Sequence, residues 1–116
     1  MAITRVQPGT RYSEAVLAGG FIFCSGMVPA QANGDIAAQT ADVLGQIVAL
    51  LTECGADKTK IVDATIYLAD MADYTEMNLV WDAWVAKGQA PARATVEARL
   101  ADPAWKIEIK VTAFIS

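Results

Sequence analysis

The fold class of this chain is decided by the stretch Lys106-Ile107-Glu108-Ile109-Lys110-Val111-Thr112-Ala113-Phe114-Ile115. Apolar side chains occupy positions 107, 109, 111, 113 and 115, and charged or polar ones occupy positions 106, 108, 110 and 112. A period of two residues is typical of a β-strand that buries one face. The stretch therefore predicts a half-buried strand in a larger sheet.

Further strand patterns precede this stretch. Apolar and polar side chains alternate over residues 62–68, and an extended segment follows Pro91. Gly19-Gly20 separates two short apolar runs and is suited to the turn of a hairpin. The predicted strands before the C-terminal one cover residues 3–6, 15–19, 21–25, 62–68 and 93–100.

A long amphipathic helix is predicted between the hairpin and residues 62–68. Asp35 is a suitable N-cap, and apolar side chains then recur every three or four residues as far as Cys54. Gly55 stands where the glycine that ends a helix is usually found. These three signals together give the helix a beginning, a buried face and an end.

A second, shorter helix is predicted after residues 62–68. Asp73 and Glu76 have the spacing of a capping box, and Lys87-Gly88 is a suitable end. We expect the tryptophans of its apolar stripe to be core or interface anchors rather than binding residues. The stripe consists of Met77, Val80, Trp81, Trp84 and Val85.

The predicted order of elements is β-β-α-β-α-β-β, with a short extra strand at the start. Two helices on one face of one sheet indicate an α+β protein, and 116 residues support a single domain, 1–116. Hydrophobic residues make up 54% of the sequence, more than so small an interior requires. Because two helices leave one sheet face bare, we expect another subunit to cover that face.

The charge balance argues against a nucleic-acid partner. Nine Lys and Arg residues stand against 13 Asp and Glu residues, the net charge is -4, and no basic run occurs. No stretch has the roughly 18 uninterrupted apolar residues of a membrane span, and the first residues lack a secretory signal. We therefore expect a cytoplasmic protein with no nucleic-acid partner and no membrane partner.

The absence of histidine limits the chemistry further. It excludes Ser-His-Asp and Cys-His catalytic arrangements and zinc sites that contain histidine. Two cysteines do not suffice for a Cys-rich zinc site within one chain, so we expect no metal. Cys24 and Cys54 lie far apart, in no CxxC pattern, and are interpreted as core thiols in a reducing compartment.

A few polar residues have unusual surroundings. Arg93 lies among small and apolar residues, where it binds either an acidic neighbour or an anionic group of a ligand. Glu108 lies between two lysines, as either a cross-strand charge partner or a general base that positions water. Ser25 precedes Gly26, where backbone can approach a ligand closely, and is interpreted as a hydrogen-bond donor.

Four segments resemble a known family in order and spacing. The signature segments of the YjgF/RidA family of enamine/imine deaminases are similar to Cys24-Ser25-Gly26-Met27-Val28-Pro29, Met77-Asn78, Pro91-Ala92-Arg93-Ala94-Thr95-Val96 and Lys106-Ile107-Glu108-Ile109. The resemblance covers essentially the whole chain. It implies a chorismate-mutase-like α+β fold and a homotrimer with active sites in the clefts between adjacent subunits.

The resemblance also implies roles for individual residues. The arginine that binds the substrate carboxylate and the glutamate that positions water fall on Arg93 and Glu108. The tyrosine, serine and asparagine that a neighbouring subunit contributes fall on Tyr12, Ser25 and Asn78, with Gly26 beside the serine. Many members have a cysteine where this chain has Thr95, and we expect the backbone there to bind the substrate.

The activity implied by the resemblance is hydrolysis of reactive 2-imino acids, of the 2-aminoacrylate type, to 2-keto acids and ammonia without a cofactor. The alternative is a non-catalytic regulatory trimer that binds small carboxylates through Arg93. Such a binder has no need of Glu108. An older label for the family is ribonuclease, which the acidic charge and the missing histidine argue against.

Overall fold

The alternating C-terminal stretch lies inside a six-stranded sheet in the computed structural model, which describes residues 2–115. Two helices, α1 and α2, and two short 3-10 turns connect the strands. In chain order the elements are β1 (Thr4–Pro8), β2 (Ser13–Ala18), β3 (Phe21–Cys24), α1 (Ile36–Glu53), a 3-10 turn (Lys58–Lys60), β4 (Ile61–Leu68), a 3-10 turn (Met71–Asp73), α2 (Tyr74–Trp84), β5 (Ala92–Glu97) and β6 (Ile107–Phe114).

The strand order in the sheet is β1-β2-β3-β6-β4-β5. Neighbouring strands are antiparallel except β4 and β5, which are parallel, so the sheet is mixed. The alternating side chains of β6 from Ile107 to Ala113 are buried and belong to one core with the apolar stripes of both helices. The predicted fold class, an α+β protein with two helices on one face of one mixed sheet, is confirmed.

The local signals for the hairpin and for α1 are also confirmed. Gly19 and Gly20 have φ angles of +59° and +83°, the left-handed values that a two-residue hairpin turn requires. The Asp35 carboxylate accepts a hydrogen bond from the Ala38 N–H at 2.9 Å, as an N-cap does. Gly55 has a φ of +84° directly after the end of α1.

The predicted capping box of α2 is wrong. Asp73 precedes the helix, but its side chain makes no capping hydrogen bond, because its backbone is already helical at φ -83° and ψ 0°. The chain enters α2 through the preceding 3-10 turn, which Asp70 caps by accepting from the Ala72 N–H at 2.9 Å. The helix also ends at Trp84, before the predicted Lys87-Gly88.

The bounds of all five strands that precede β6 differ from the predictions, by one to three residues at an end. The strand β5 ends at Glu97 rather than at residue 100, because Ala98 is the last residue whose N–H bonds to β4, at Leu68 O. The first strand covers Thr4–Pro8 rather than residues 3–6. Neither helix within residues 2–115 combines the length and apolar character that crossing a bilayer requires.

The face of the sheet opposite the helices carries exposed aromatic side chains. Phe21 pairs with Phe114 across β3 and β6, with ring centroids 5.5 Å apart, and Phe23 lies 6.2 Å from Phe21. Between 38% and 44% of each side chain is exposed, although these are among the largest apolar groups in the chain. This phenylalanine cluster is the apolar centre of an uncovered sheet face.

Gln39 of α1 joins three separate segments of the chain. Gln39 is 1% exposed, and its amide nitrogen Nε2 lies 3.1 to 3.2 Å from the carbonyl oxygens of Ala32, Gly34 and Ala104, so that one of its two N–H groups is shared between two acceptors. Its carbonyl oxygen accepts from the Lys106 N–H at 2.8 Å. One buried amide therefore satisfies backbone groups before α1 and on both sides of Trp105.

We expect Gln39→Met to lower the free energy of unfolding by about 2–4 kcal/mol, because methionine fills the space but removes the contacts with four part-buried backbone groups, each worth about 0.5–1 kcal/mol. The measurement is urea denaturation at matched protein concentration. Gln46→Met on the same helix is the control. Gln46 is half-buried and bonds to Val28 O and Asp42, so we expect a loss of about 1 kcal/mol. Equal losses in the two variants would contradict the assignment.

Candidate active site

The guanidinium of Arg93 is held by neutral groups of α2. Nη1 donates to Asn78 Oδ1 at 2.9 Å, and Nη2 lies 3.5 Å from the Tyr74 hydroxyl. The guanidinium carbon lies 5.3 Å from the centre of the Trp81 ring, within cation–π range. Among residues 2–115, these contacts support the orientation of Arg93 without neutralising its charge, which leaves N–H donors for an anion.

The supporting residues come from one face of α2. Tyr74, Asn78 and Trp81 are four and three residues apart, the spacing that places side chains on the same side of a helix. From the sequence, Trp81 was expected to be a core or interface anchor, and Tyr74 was not identified. Their helical spacing relative to Asn78 is the signal that identifies them.

Thr95 lies two residues beyond Arg93 on β5, so the two side chains leave the same face of the strand. The Thr95 hydroxyl is buried and has no hydrogen-bond partner within residues 2–115. Its backbone pairs with Ile66 of β4. Removing the hydroxyl therefore breaks no hydrogen bond of the described structure.

Glu108 lies against Gly26 in the second part of the candidate site. A β-carbon built at Gly26 would be 2.1 Å from Glu108 Oε2 and 3.0 Å from its carboxyl carbon. The segment is brought there by Met27, whose backbone exchanges two hydrogen bonds with Ile109 at 2.8 and 3.0 Å. Glycine at position 26 is thus what allows the carboxylate to occupy its position.

Ser25 and Tyr12 lie in the same region. The Ser25 hydroxyl donates to Ser13 O at 2.6 Å, so its proton is already used and its lone pairs remain available. Ser25 is thus a hydrogen-bond donor within its own chain, and its role towards a ligand stays a prediction. A cavity of about 320 Å³ opens here and is lined by Tyr12, Ser25, Gly26, Val28, Trp105 and Glu108.

Arg93 and Glu108 of one chain lie on opposite faces of the sheet. Arg93 pairs with Ala64, which is buried beneath the helices, and cross-strand partners share a face. Glu108 pairs with Tyr67 and alternates with the buried Ile107 and Ile109, so its side chain leaves the other face. The two charged groups therefore do not share a cavity within one chain.

The grouping of the predicted site residues differs from the expected one. The resemblance placed Arg93 and Glu108 together, with Tyr12, Ser25 and Asn78 from a neighbour. In the structure Asn78 instead bonds to Arg93 of its own chain, and Glu108 shares a cavity with Tyr12 and Ser25. Each chain thus presents an arginine half-site on α2 and β5 and a glutamate half-site around Gly26.

The alternative structural roles of these charges find no support in the contacts. The ammonium group of Lys110 donates to Cys24 O at 2.8 Å rather than to Glu108. The groups that hold Arg93 are an amide, a hydroxyl and aromatic rings rather than a carboxylate. Within residues 2–115, both charged groups of the candidate site thus lack the ion-pair partners that a structural role would give them.

The nearby thiol is unsuited to nucleophilic attack. Burial, aided by the proximity of Cys54, raises the pKa of Cys24 to about 11, so the thiol is protonated at neutral pH. Within residues 2–115, no three Cys, Asp or Glu side chains lie close enough together to hold a metal ion. The groups that can act on a ligand here are therefore Arg93, Glu108 and the hydroxyls beside them.

We expect Gly26→Ala to displace the Glu108 carboxylate by about 1 Å or more, because the new methyl group cannot remain 2.1 Å from Oε2. A crystal structure of the variant measures the displacement directly. Gly45→Ala in α1 is the control, since a β-carbon there meets nothing within 4 Å. An unmoved carboxylate in Gly26→Ala would contradict the close approach.

Comparison with known proteins supports the resemblance of the sequence. The sequence profile of the family described as Endoribonuclease L-PSP matches residues 2–115. A RutC family protein of Haemophilus ducreyi is 48% identical over 114 residues, which cover 98% of this chain and 97% of the relative. The RutC family protein YoaB of Escherichia coli is 44% identical over 115 residues, 99% of this chain and 100% of the relative.

A solved structure agrees over the whole chain. NMB1025 of Neisseria meningitidis, a member of the YjgF protein family, is 62% identical with a TM-score of 0.95, and the match covers 100% of this chain and 97% of that one. Sequence and backbone thus point to the same relatives. The chain belongs to the YjgF/RidA family.

Proposed function

We propose that this protein is a homotrimeric imine deaminase that hydrolyses 2-imino acids to 2-keto acids and ammonia at sites between subunits. The observation that supports this most directly is the division of each chain into two half-sites. Arg93 is oriented and unneutralised on one sheet face, and Glu108 lies in a cavity on the other. The two groups act on one substrate when they come from different subunits.

The uncovered sheet face supports the oligomer. The phenylalanine cluster of Phe21, Phe23 and Phe114 is exposed in one chain, and burying it against other subunits is favourable. A cyclic trimer uses a heterologous contact that repeats around its axis. Such a contact brings two different surfaces of the chain together at each boundary, as two complementary half-sites require.

Arg93 fits the role of a carboxylate clamp. A guanidinium binds a carboxylate through two parallel N–H···O bonds, which fixes both the position and the plane of the substrate. Asn78 and the Trp81 ring hold the guanidinium in one orientation before the substrate binds. The clamp places the imine carbon for attack and lowers the entropic cost of reaction.

Glu108 fits the role of the general base. It takes a proton from a water molecule, whose oxygen forms a bond to the imine carbon, and returns that proton to nitrogen, which gives a carbinolamine. The same carboxylate then transfers the hydroxyl proton of the carbinolamine to nitrogen, the C–O bond becomes the carbonyl as the C–N bond breaks, and ammonia leaves the 2-keto acid. The lone pairs of Ser25 are available to accept an imine N–H. The backbone at Thr95, on the face of Arg93, is available in the arginine half-site.

The substrate supplies the electrophile in this reaction. The carbon of a C=N bond accepts water once a base is in place, so the proposed steps use no cofactor and no metal. The overall reaction is R–C(=NH)–COO⁻ plus water giving R–C(=O)–COO⁻ plus ammonia. Cleavage of RNA, which the profile's description would suggest, requires attraction to phosphates that a net charge of -4 does not offer.

The division into half-sites is tested with mixed trimers. Arg93→Ala and Glu108→Gln should each be nearly inactive, but an equal mixture, unfolded and refolded together, should recover about one quarter of the wild-type rate per chain. At each boundary of a cyclic trimer, one intact arginine and one intact glutamate then meet in about one arrangement of four. The rate is measured by trapping 2-imino acids with semicarbazide, with an amino-acid oxidase as their source.

A matched control uses Arg93→Ala mixed with the double variant Arg93→Ala/Glu108→Gln, which contains no intact arginine. This mixture should remain inactive. Light scattering on each sample should give a mass of three chains. Failure of the first mixture to gain activity while forming trimers would place the two residues in the same chain.

The chemical role of Glu108 is tested separately. Glu108→Gln keeps the shape of the side chain but cannot take a proton, so we expect turnover to fall by about 10²- to 10⁴-fold. Calorimetry on the same preparation should show that pyruvate still binds. If wild type binds pyruvate but does not accelerate hydrolysis of any imine, the protein is a carboxylate-binding regulator instead. If the variant loses the trimer, Glu108 has a structural role.

A further inference from the structure

We propose that Trp105 forms the wall of a side-chain pocket and gives this protein a preference for 2-imino acids with large apolar side chains, aromatic ones above all. The inference rests on the proposed function, because it names the substrate class of the same site. It is based on two observations. Trp105 lines the cavity of about 320 Å³ that contains Glu108, here called the Glu108 cavity, and the backbone around Trp105 is held by several hydrogen bonds.

The Glu108 cavity is lined by both polar and apolar residues. Glu108 and Ser25 provide the polar groups, whereas Val28, Tyr12 and Trp105 provide carbon surface. If Arg93 of a neighbouring subunit binds the substrate carboxylate and Glu108 lies next to the imine carbon, the substituent on that carbon occupies the rest of the cavity. Its volume of about 320 Å³ is within the range of small-molecule sites and exceeds what a methyl substituent needs.

Trp105 is held in place by its backbone neighbours. Gln39 bonds to the residues immediately before and after it, at Ala104 O and Lys106 N. The turn that precedes it is closed by the Trp105 N–H, which donates to Asp102 O at 3.1 Å, and by the Asp102 carboxylate, which accepts from the Ala104 N–H at 2.8 Å. A backbone held at this many points fixes the position from which the indole extends.

Trp105 also lines a second cavity. This larger cavity, of about 710 Å³, lies between the end of β4 and the segment that follows β5, and among its lining residues Trp105 alone also lines the Glu108 cavity. Replacing the indole by a methyl group therefore enlarges the space available beside Glu108. Substrates with large side chains then lose their flat apolar contact, whereas a methyl substituent, which does not reach the wall, loses little.

The test compares kcat/KM for 2-imino acids made by an amino-acid oxidase from alanine, leucine and phenylalanine. We expect wild type to prefer the phenylalanine product over the alanine product by about tenfold or more, the usual effect of apolar groups in a fitted pocket. Trp105→Ala should lose most of this preference, because its kcat/KM for the phenylalanine product should fall by about tenfold more than its kcat/KM for the alanine product. Trp105→Phe should retain a preference, because it keeps a flat ring.

Leu100→Ala is the matched control, since Leu100 is half-buried and lines the larger cavity without lining the Glu108 cavity. It should keep the wild-type preference. An unchanged ratio in Trp105→Ala, or the same change in Leu100→Ala, would overturn the assignment.

Binding separates failure of this inference from failure of the proposed function. Calorimetry compares phenylpyruvate with pyruvate on wild type and on Trp105→Ala. If no imine is hydrolysed but wild type prefers phenylpyruvate and Trp105→Ala does not, the side-chain pocket is supported and the deaminase proposal is wrong. If imines are hydrolysed without any preference that depends on Trp105, the deaminase proposal stands and the pocket is wrong. Absence of keto-acid binding to wild type would contradict both.

Discussion

The alternation of side chains between the two faces of β6 is the constraint on which the rest of this structure depends. Side chains at 107, 109, 111 and 113 leave the sheet towards the helices and form the centre of the core. The side chains between them have to leave the opposite face, and Glu108 is one of these. Core formation therefore determines on which side of the sheet the candidate base lies.

The same constraint, carried through β4 to β5, places Arg93 on the helix face. Pairing between Ala64 and Arg93 puts the guanidinium against α2, where an amide and an indole ring orient it. The apolar stripe of α2 thus has two roles, because Trp81 is part of the core and also supports the Arg93 guanidinium. A site built from both faces of a sheet needs a second chain, which connects the packing of one subunit to the proposed chemistry of the assembly.

The sequence predicts most of the fold because its signals are local. Strand alternation, the Gly19-Gly20 turn and the Asp35 cap each depend on a few neighbouring residues. The capping box of α2 was mispredicted, although the helix does begin directly after Asp73, because the 3-10 turn already gives Asp73 helical backbone and its side chain makes no capping hydrogen bond. The grouping of the site residues depends on strand register. The links through Gln39 join residues 65 and 67 positions apart, which no local pattern reveals.

The contact between Gly26 and Glu108 has a consequence for how this site can vary. A methyl group at position 26 would occupy space that the Glu108 carboxylate fills. A side chain at position 26 therefore requires either a displaced carboxylate or a shorter side chain at position 108. Aspartate at position 108 is shorter by one methylene, which draws the carboxylate back and makes room for alanine at position 26. The length of the acidic side chain and the absence of a side chain on the facing backbone therefore have to vary together, and both belong to the same chain.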